Sequence, residues 1–197
     1  MASHKIAIKL LVDDGSRIDA HEFVSVFHAW IQQRAVPDHL LIDVADYAHV
    51  HNGPGTCLIT HEANFYTDRA AGRLGLMYAR KQPFEGTLAD RLRQAFVAVL
   101  EGAKRLETDA RLAGRIKFKT TEVLVSINDR LKAPNTPETF NAVRGEIQQF
   151  FADTYGGDVT LKQAGSDETP FKVEVKSSKS PALDDLLSRL SATAPAR

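Results

Sequence analysis

The chain has 197 residues, of which 43% are hydrophobic and 25% are charged, a composition typical of an ordinary soluble globular protein. Its 25 basic residues balance its 25 acidic residues, so the net charge is zero with neutral histidines. This balance excludes a general electrostatic attraction to nucleic acid or to an anionic membrane surface. The single cysteine, Cys57, excludes an internal disulfide and a zinc site built from several cysteines.

The start of the chain has no features of a targeting segment. Its apolar run at 6–12 is interrupted by Lys9 and ended by Asp13, which makes it too short and too charged for the core of a signal peptide. No later stretch approaches the length of a membrane span. We therefore expect a cytoplasmic protein with neither a membrane nor a nucleic acid as partner.

The first half of the chain predicts a strand, a helix, three strands and a second helix. Asp19 and Glu22 have the spacing of a capping box and begin a helix that runs to about Arg34. Thr87 and Asp90 begin the second helix in the same way. The segments with strand-like alternation are 6–12, 39–50, 55–66 and 73–80.

The second half repeats this order. Segment 115–128 predicts one long strand or two consecutive strands. Pro137 at the first helical position and the glycine pair at 156–157 bound a helix. Two alternating segments, 158–164 and 171–177, predict strands, and a last leucine-rich helix follows Pro181.

The recurring order predicts an α+β fold made by internal duplication of a unit that resembles the ferredoxin-like fold. We expect two antiparallel sheets, each with helices on one face, in an N-terminal repeat over 1–112 and a C-terminal repeat over 113–197. The two repeats are expected to pack as one body. The resemblance concerns the fold alone and implies no activity.

Segment 47–62, YAHVHNGPGTCLITHE, contains three of the seven histidines and is the main polar anomaly of the sequence. When 39–50 and 55–66 are paired as one hairpin, their apolar faces coincide if Val50 lies opposite Cys57. This register places Asp46 opposite His61 on the apolar face. Asp46 would then orient His61 as a general base, or the two would form a satisfied structural pair.

The other histidines of the hairpin fall on its polar face. His49 and His51 form a His-x-His pair with Glu62 nearby, so that a divalent metal site is possible. Polar surface beside a Gly-Pro-Gly turn explains the same residues without a metal. A site that uses all three histidines would need ligands from both faces of the sheet.

The remaining polar residues around the hairpin are candidates for binding a ligand. The set predicted from the sequence is His28, Tyr47, Asn52, Gly53, Glu62, Asn64 and Arg80. Cys57 falls on the apolar face, which predicts a buried, unreactive thiol. No P-loop, dinucleotide fingerprint, G-x-S-x-G or H-E-x-x-H motif occurs in the sequence.

Two functions follow as expectations. The first is a ligand-binding or protein-interaction protein whose site lies near 42–66 and whose partner is a small molecule or a second copy that docks on a sheet face. The second is an enzyme or metalloprotein that uses Asp46 with His61, or His49 and His51 with Glu62. The sequence favours the first, because neither a nucleophile nor an oxyanion hole accompanies the candidate base.

Overall fold

The computed structural model describes residues 5–16, 18–19, 21–50 and 53–192. The fold is α+β, with an antiparallel sheet and four α-helices. None of the helices in these ranges is both long and apolar enough to cross a membrane. The strands are β1 Ile6–Val12, β2 Leu41–Tyr47, β3 Gly55–Thr60, β4 Ala63–Asp68, β5 Gly75–Arg80, β6 Phe118–Ile127, β7 Val159–Ala164 and β8 Phe171–Ser177. The helices are α1 Glu22–Gln33, α2 Leu88–Thr108, α3 Pro137–Tyr155 and α4 Leu183–Ala192, with a short 3₁₀ turn at Ala70–Gly72.

All eight strands form one sheet in the order β2-β3-β4-β5-β1-β6-β8-β7. The expectation of two separate sheets is wrong, because β1 and β6 pair antiparallel at the centre, with Ile8 opposite Val125. These are the first strands of the two halves. Their pairing leaves no sheet edge between the halves.

The helices cover one face of the sheet and enclose a single core. A row of side chains across six strands faces them: Leu58, Phe65, Tyr78, Ile8, Val125 and Val173. Helix α1 packs on β2 and β3, α2 on β1 and β5, and α3 on β7 and β8. The ring of Phe96 on α2 lies 5.3 Å from that of Phe151 on α3, so the core continues from one half into the other.

The predicted helix signals act largely as expected. At α2, Thr87 and Asp90 form a complete capping box. At α1 only half of the box is present: Glu22 accepts from the backbone N–H of Asp19, whereas the carboxylate of Asp19 accepts from the N–H of His21. Helix α3 begins at Pro137 and ends at a left-handed Gly156.

Segment 55–66 is not one strand, as the sequence suggested, but two strands joined by a two-residue turn. The hydroxyl of Thr60 closes this turn, because it accepts from the backbone N–H of Ala63 at 3.0 Å and donates to the Ala63 carbonyl at 2.7 Å. The turn residues are His61 and Glu62. The first half therefore has four strands between its helices rather than three.

Candidate binding face

The face of the sheet opposite the helices has no covering element among the described residues. Since side chains alternate along a strand, the residues adjacent to the core row point to this side. One row crosses all eight strands and consists of Ala45, Cys57, Tyr66, Met77, Lys9, Leu124, Glu174 and Lys162. We call this side the uncovered face.

The two ends of the uncovered face differ in charge. On β6, β8 and β7 this face carries five charged side chains of both signs, with Leu124, Ser126 and Thr160 among them: Glu122, Lys172, Glu174, Lys176 and Lys162. On β2 to β5 the same face carries mostly uncharged and aromatic side chains: Ala45, Tyr47, Cys57, Ile59, Asn64, Tyr66, Met77 and Ala79. We call these eight residues the uncharged patch. Its charged neighbours are Asp43 on the edge strand and the Lys9–Asp68 pair.

The Lys9–Asp68 pair is neutralised within the protein. Only 3% of Lys9 is exposed, and its Nζ donates to Oδ2 of Asp68 and to the carbonyl of Arg73, each at 2.5 Å. Burial lowers the pKa of Lys9, although the bond to Asp68 opposes this shift. The pair therefore adds no net charge to the uncharged patch.

The thiol of Cys57 lies within the uncharged patch but is 2% exposed. Burial raises its pKa to about 11, from 9.0 for an ordinary thiol, so at pH 8 the folded protein holds about 100-fold less thiolate. We expect Ellman's reagent to modify the folded protein at least that much more slowly than the unfolded protein, with a rate that rises towards pH 11. Equal rates in buffer and in 6 M guanidinium would contradict this assignment.

The predicted pair of Asp46 and His61 is wrong. Asp46 lies opposite Thr56, whereas His61 lies in the turn after β3 and donates its N–H to the carbonyl of Leu40. Leu40 precedes Asp46 by six residues of extended chain, which places His61 about 20 Å from Asp46. The actual partners of Asp46 are the Ala48 N–H and the ring of His21, at 2.8 Å and 3.1 Å, and they lower its pKa in that order of importance.

The predicted metal site does not assemble as proposed. Glu62 accepts from the N–H of Leu40 at one end of β2, whereas His49 lies in the turn at the opposite end. His51 lies outside the described residues. In the ranges that the structure covers, no three His, Cys, Asp or Glu side chains come together as a metal-binding group.

The predicted ligand-binding residues are dispersed. Tyr47 and Asn64 lie in the uncharged patch, where Tyr47 is 42% exposed and Asn64 donates to the hydroxyl of Tyr66. His28 is exposed on the outer side of α1, and Asn52 lies outside the described residues. Gly53 allows the chain to make a close turn, since a Cβ on residue 53 would lie 2.8 Å from the Cβ of Val50.

At the other end of β2 and β3, near Glu62, Arg80 belongs to a hydrogen-bonded cluster with Tyr78 and His39 that the sequence did not reveal. Arg80 donates to the Tyr78 hydroxyl at 3.4 Å, and that hydroxyl lies 3.0 Å from Nε2 of His39. The carbonyl of Pro37 accepts from Nδ1 of His39, so the neutral ring accepts from Tyr78 through Nε2. These hydrogen bonds satisfy the hydroxyl group of the buried Tyr78.

The residues missed by sequence reasoning are Ile59, Met77, Lys9 and Asp68. Lys9 gave a signal, because it is a lysine inside an otherwise apolar strand. The others could be assigned to the uncovered face only after the strand order was known. Searches against protein-family models, curated proteins and solved structures found no match for this chain.

Proposed function

We propose that this protein is an interaction protein that pairs with a second copy of itself through the uncovered face. The observation that carries the proposal is the uncharged patch. The two ends of this face can be compared within one sheet. On β6, β8 and β7 the face carries charged side chains of both signs. The uncharged patch departs from that pattern, although Tyr47 is exposed and all of its other members except Cys57 and Ala79 are partly exposed.

The composition of the uncharged patch supports a protein partner. Tyrosine and methionine are enriched at protein interfaces. Tyr66 and Met77 lie opposite each other on β4 and β5, and Tyr47 lies on the same face on β2, with β3 between. Their side chains offer a large contact area and lose little conformational freedom on binding. Charged side chains, which are depleted at interface cores, occur only at the margin of the uncharged patch.

The size and charge of the face support a second copy as the partner. Eight strands at a spacing of about 4.8 Å and six residues of about 3.3 Å each give roughly 760 Å² per copy, close to the 800 Å² per partner of a standard interface. A net charge of zero removes long-range repulsion between copies. In a two-fold arrangement, uncharged patch meets uncharged patch and mixed charges meet mixed charges.

Placing a lysine in the uncharged patch tests this proposal. We expect the wild-type protein to show a concentration-dependent dimer in sedimentation equilibrium. Ile59→Lys should be monomeric, because each dimer would have to remove two introduced ammonium groups from water, and pairing with the cross-strand Asp43 does not recover the whole cost. Tyr47→Lys makes the same test at a residue that is already 42% exposed and therefore tolerates the change without loss of the fold. Circular dichroism confirms that each variant is folded.

Asn141→Lys is the matched control, since Asn141 is exposed on the outer side of α3. It adds the same charge on the other side of the molecule and should leave the dimer intact. A wild-type monomer at millimolar concentration would refute the proposal. Dimerisation that Ile59→Lys and Tyr47→Lys leave unchanged would refute it equally.

We also infer that the two halves, 1–112 and 113–197, derive from duplication of a ferredoxin-like unit. The support is the recurring element order and the antiparallel pairing of β1 with β6, which places the two first strands side by side at the centre of the sheet. The halves differ in the number of strands between their helices, four in the first and two in the second.

A further inference from the structure

We propose that a cavity beside the end of β1 binds a small oxyanion, either phosphate or a short carboxylate. This site is separate from the proposed pairing and does not depend on it. The cavity has a volume of about 280 Å³. Three parts of the chain line it: the segment after β1, the loop between β4 and β5, and the start of β6.

The side chains that line the cavity carry one positive charge more than negative, and Glu122, which pairs with Arg73, lies outside the lining. Arg69, Arg73 and Lys119 contribute three cations, and Asp13 and Asp14 contribute two carboxylates. Lys119 pairs with Asp14 at 2.6 Å, but the Asp14 side chain is 90% exposed, so solvent screens this ion pair and a competing anion can replace it.

Arg69 is the cation with the least satisfied charge. Its guanidinium donates to the carbonyl of Ile18 at 3.4 Å, a long bond to an uncharged group. Among the residues that the structure describes, no carboxylate forms an ion pair with it. Arg69 can therefore contribute a full positive charge to a ligand.

Contacts with Lys9 and Glu122 hold Arg73 in place. Its backbone carbonyl accepts from the buried Nζ of Lys9, and its Nη2 lies 2.8 Å from Oε2 of Glu122. A guanidinium has five N–H donors, so this single contact leaves others to face the cavity. The site is thus prepared before a ligand arrives, which reduces the entropy lost on binding.

The backbone of the loop brings the two arginines to one cavity. Ala71, at φ 58°, and Gly72, at φ 70°, are consecutive left-handed residues. This conformation is unfavourable for an alanine. Two backbone hydrogen bonds hold the turn, from the Gly72 N–H to the Arg69 carbonyl and from the Arg73 N–H to the Ala70 carbonyl. Arg69 and Arg73 lie on either side of this turn and both line the cavity.

The size of the cavity limits the ligand. Its volume of about 280 Å³ lies at the lower end of the range of small-molecule pockets, about 300–1,000 Å³, and is large enough for a phosphate or a short carboxylate. Planar guanidinium groups bind carboxylate and phosphate through paired hydrogen bonds. Phosphate and carboxylate can both accept such paired hydrogen bonds, and separate titrations show which of the two anions binds.

The test is a titration of the wild-type protein with inorganic phosphate and, separately, with succinate, at low ionic strength, followed by amide NMR shifts. We expect saturable shifts at 69–74 with at least one of the anions. Arg69→Gln should weaken the binding by about tenfold or more, the usual loss for one charge-assisted hydrogen bond. Arg144→Gln, a matched change at an exposed position on α3, should leave it unchanged.

The anion that binds identifies the ligand class. The inference is overturned if neither anion produces saturable shifts at 69–74, or if Arg144→Gln weakens binding as much as Arg69→Gln. The second result would show general attraction to surface charge. Both variants replace exposed side chains away from the core, so neither result depends on loss of the fold.

Discussion

Asp68→Ala is expected to lower the free energy of unfolding by about 3–5 kcal/mol, because it leaves the ammonium group of Lys9 buried without its counter-ion. The Lys9 side chain is 4% exposed and that of Asp68 is 13% exposed, so water cannot replace the lost partner. The carbonyl of Arg73 remains as an acceptor but does not neutralise the charge. Urea denaturation at pH 7 measures the loss.

Two comparisons separate the lost ion pair from the effect of a shorter side chain. Asp158→Ala removes an exposed carboxylate and should change stability by no more than about 0.5 kcal/mol. Lys9→Met combined with Asp68→Ala removes both charges and should be more stable than Asp68→Ala alone. If Asp68→Ala costs no more than Asp158→Ala, the buried pair does not contribute as described.

The pH dependence of Asp68→Ala has a defined sign. Burial lowers the pKa of Lys9 in the folded state below the 10.5 of a free lysine. Between the lowered pKa and 10.5 the unfolded chain binds more protons than the folded chain, so stability rises with pH in that window. Asp68 raises the pKa of Lys9, so in Asp68→Ala the folded-state pKa is lower still and stability rises with pH over a wider window than in the wild type. The loss caused by Asp68→Ala should therefore shrink as the pH approaches 10.5.

Phe96→Ala is expected to lower the free energy of unfolding by about 3–5 kcal/mol, because it removes a fully buried ring from the centre of the core. The ring lies 5.3 Å from that of Phe151 and 6.4 Å from that of Phe150. Phe96 belongs to the first half of the chain and both partners belong to the second. We therefore expect the substitution to destabilise both halves of the molecule together.

Calorimetry of Phe96→Ala tests whether 1–112 and 113–197 unfold as one body. We expect a single transition at a lower temperature, since the sheet and the core both run through the two halves. Phe140→Ala, at a partly buried position on α3, should cost less and serves as the control. Two resolved transitions in Phe96→Ala would show that the halves are independent.

Asp46 and His61 lie at opposite ends of β2 and do not form the predicted pair. A general base needs its orienting carboxylate within hydrogen-bond distance, whereas about 20 Å of extended strand separates these two residues. The same strand separates Glu62 from His49. What remains of the predicted site is Tyr47 and Asn64, which lie in the uncharged patch that supports the proposed pairing.

The sequence by itself determined the elements. Alternation along β1, the capping box at Thr87 and the glycine after α3 are local signals, and each acts within a few residues of chain. These features need no knowledge of which strands pair. The burial of Cys57 agrees with the prediction, but its predicted place on the apolar face is wrong, because it lies on the uncovered face between Ala45 and Tyr66.

Only the tertiary structure decided the turn at His61 and Glu62, and with it the register of the whole region. No glycine, proline or asparagine marks this turn. It is fixed by the hydroxyl of Thr60 and by the N–H groups of Lys81 and Gln82, which donate to the carbonyl of Glu62. Those donors come from the end of β5, about twenty residues further along the chain.

The single sheet and the burial of Lys9 both depend on contacts between residues that are far apart in the sequence. The pairing of β1 with β6 joins residues more than a hundred positions apart, and no local pattern encodes that choice. The lysine is tolerated in a central strand because β4 supplies Asp68 and the following loop supplies the carbonyl of Arg73. Local chemistry selects the strands and helices, whereas the contacts that pair distant strands determine which side chains meet.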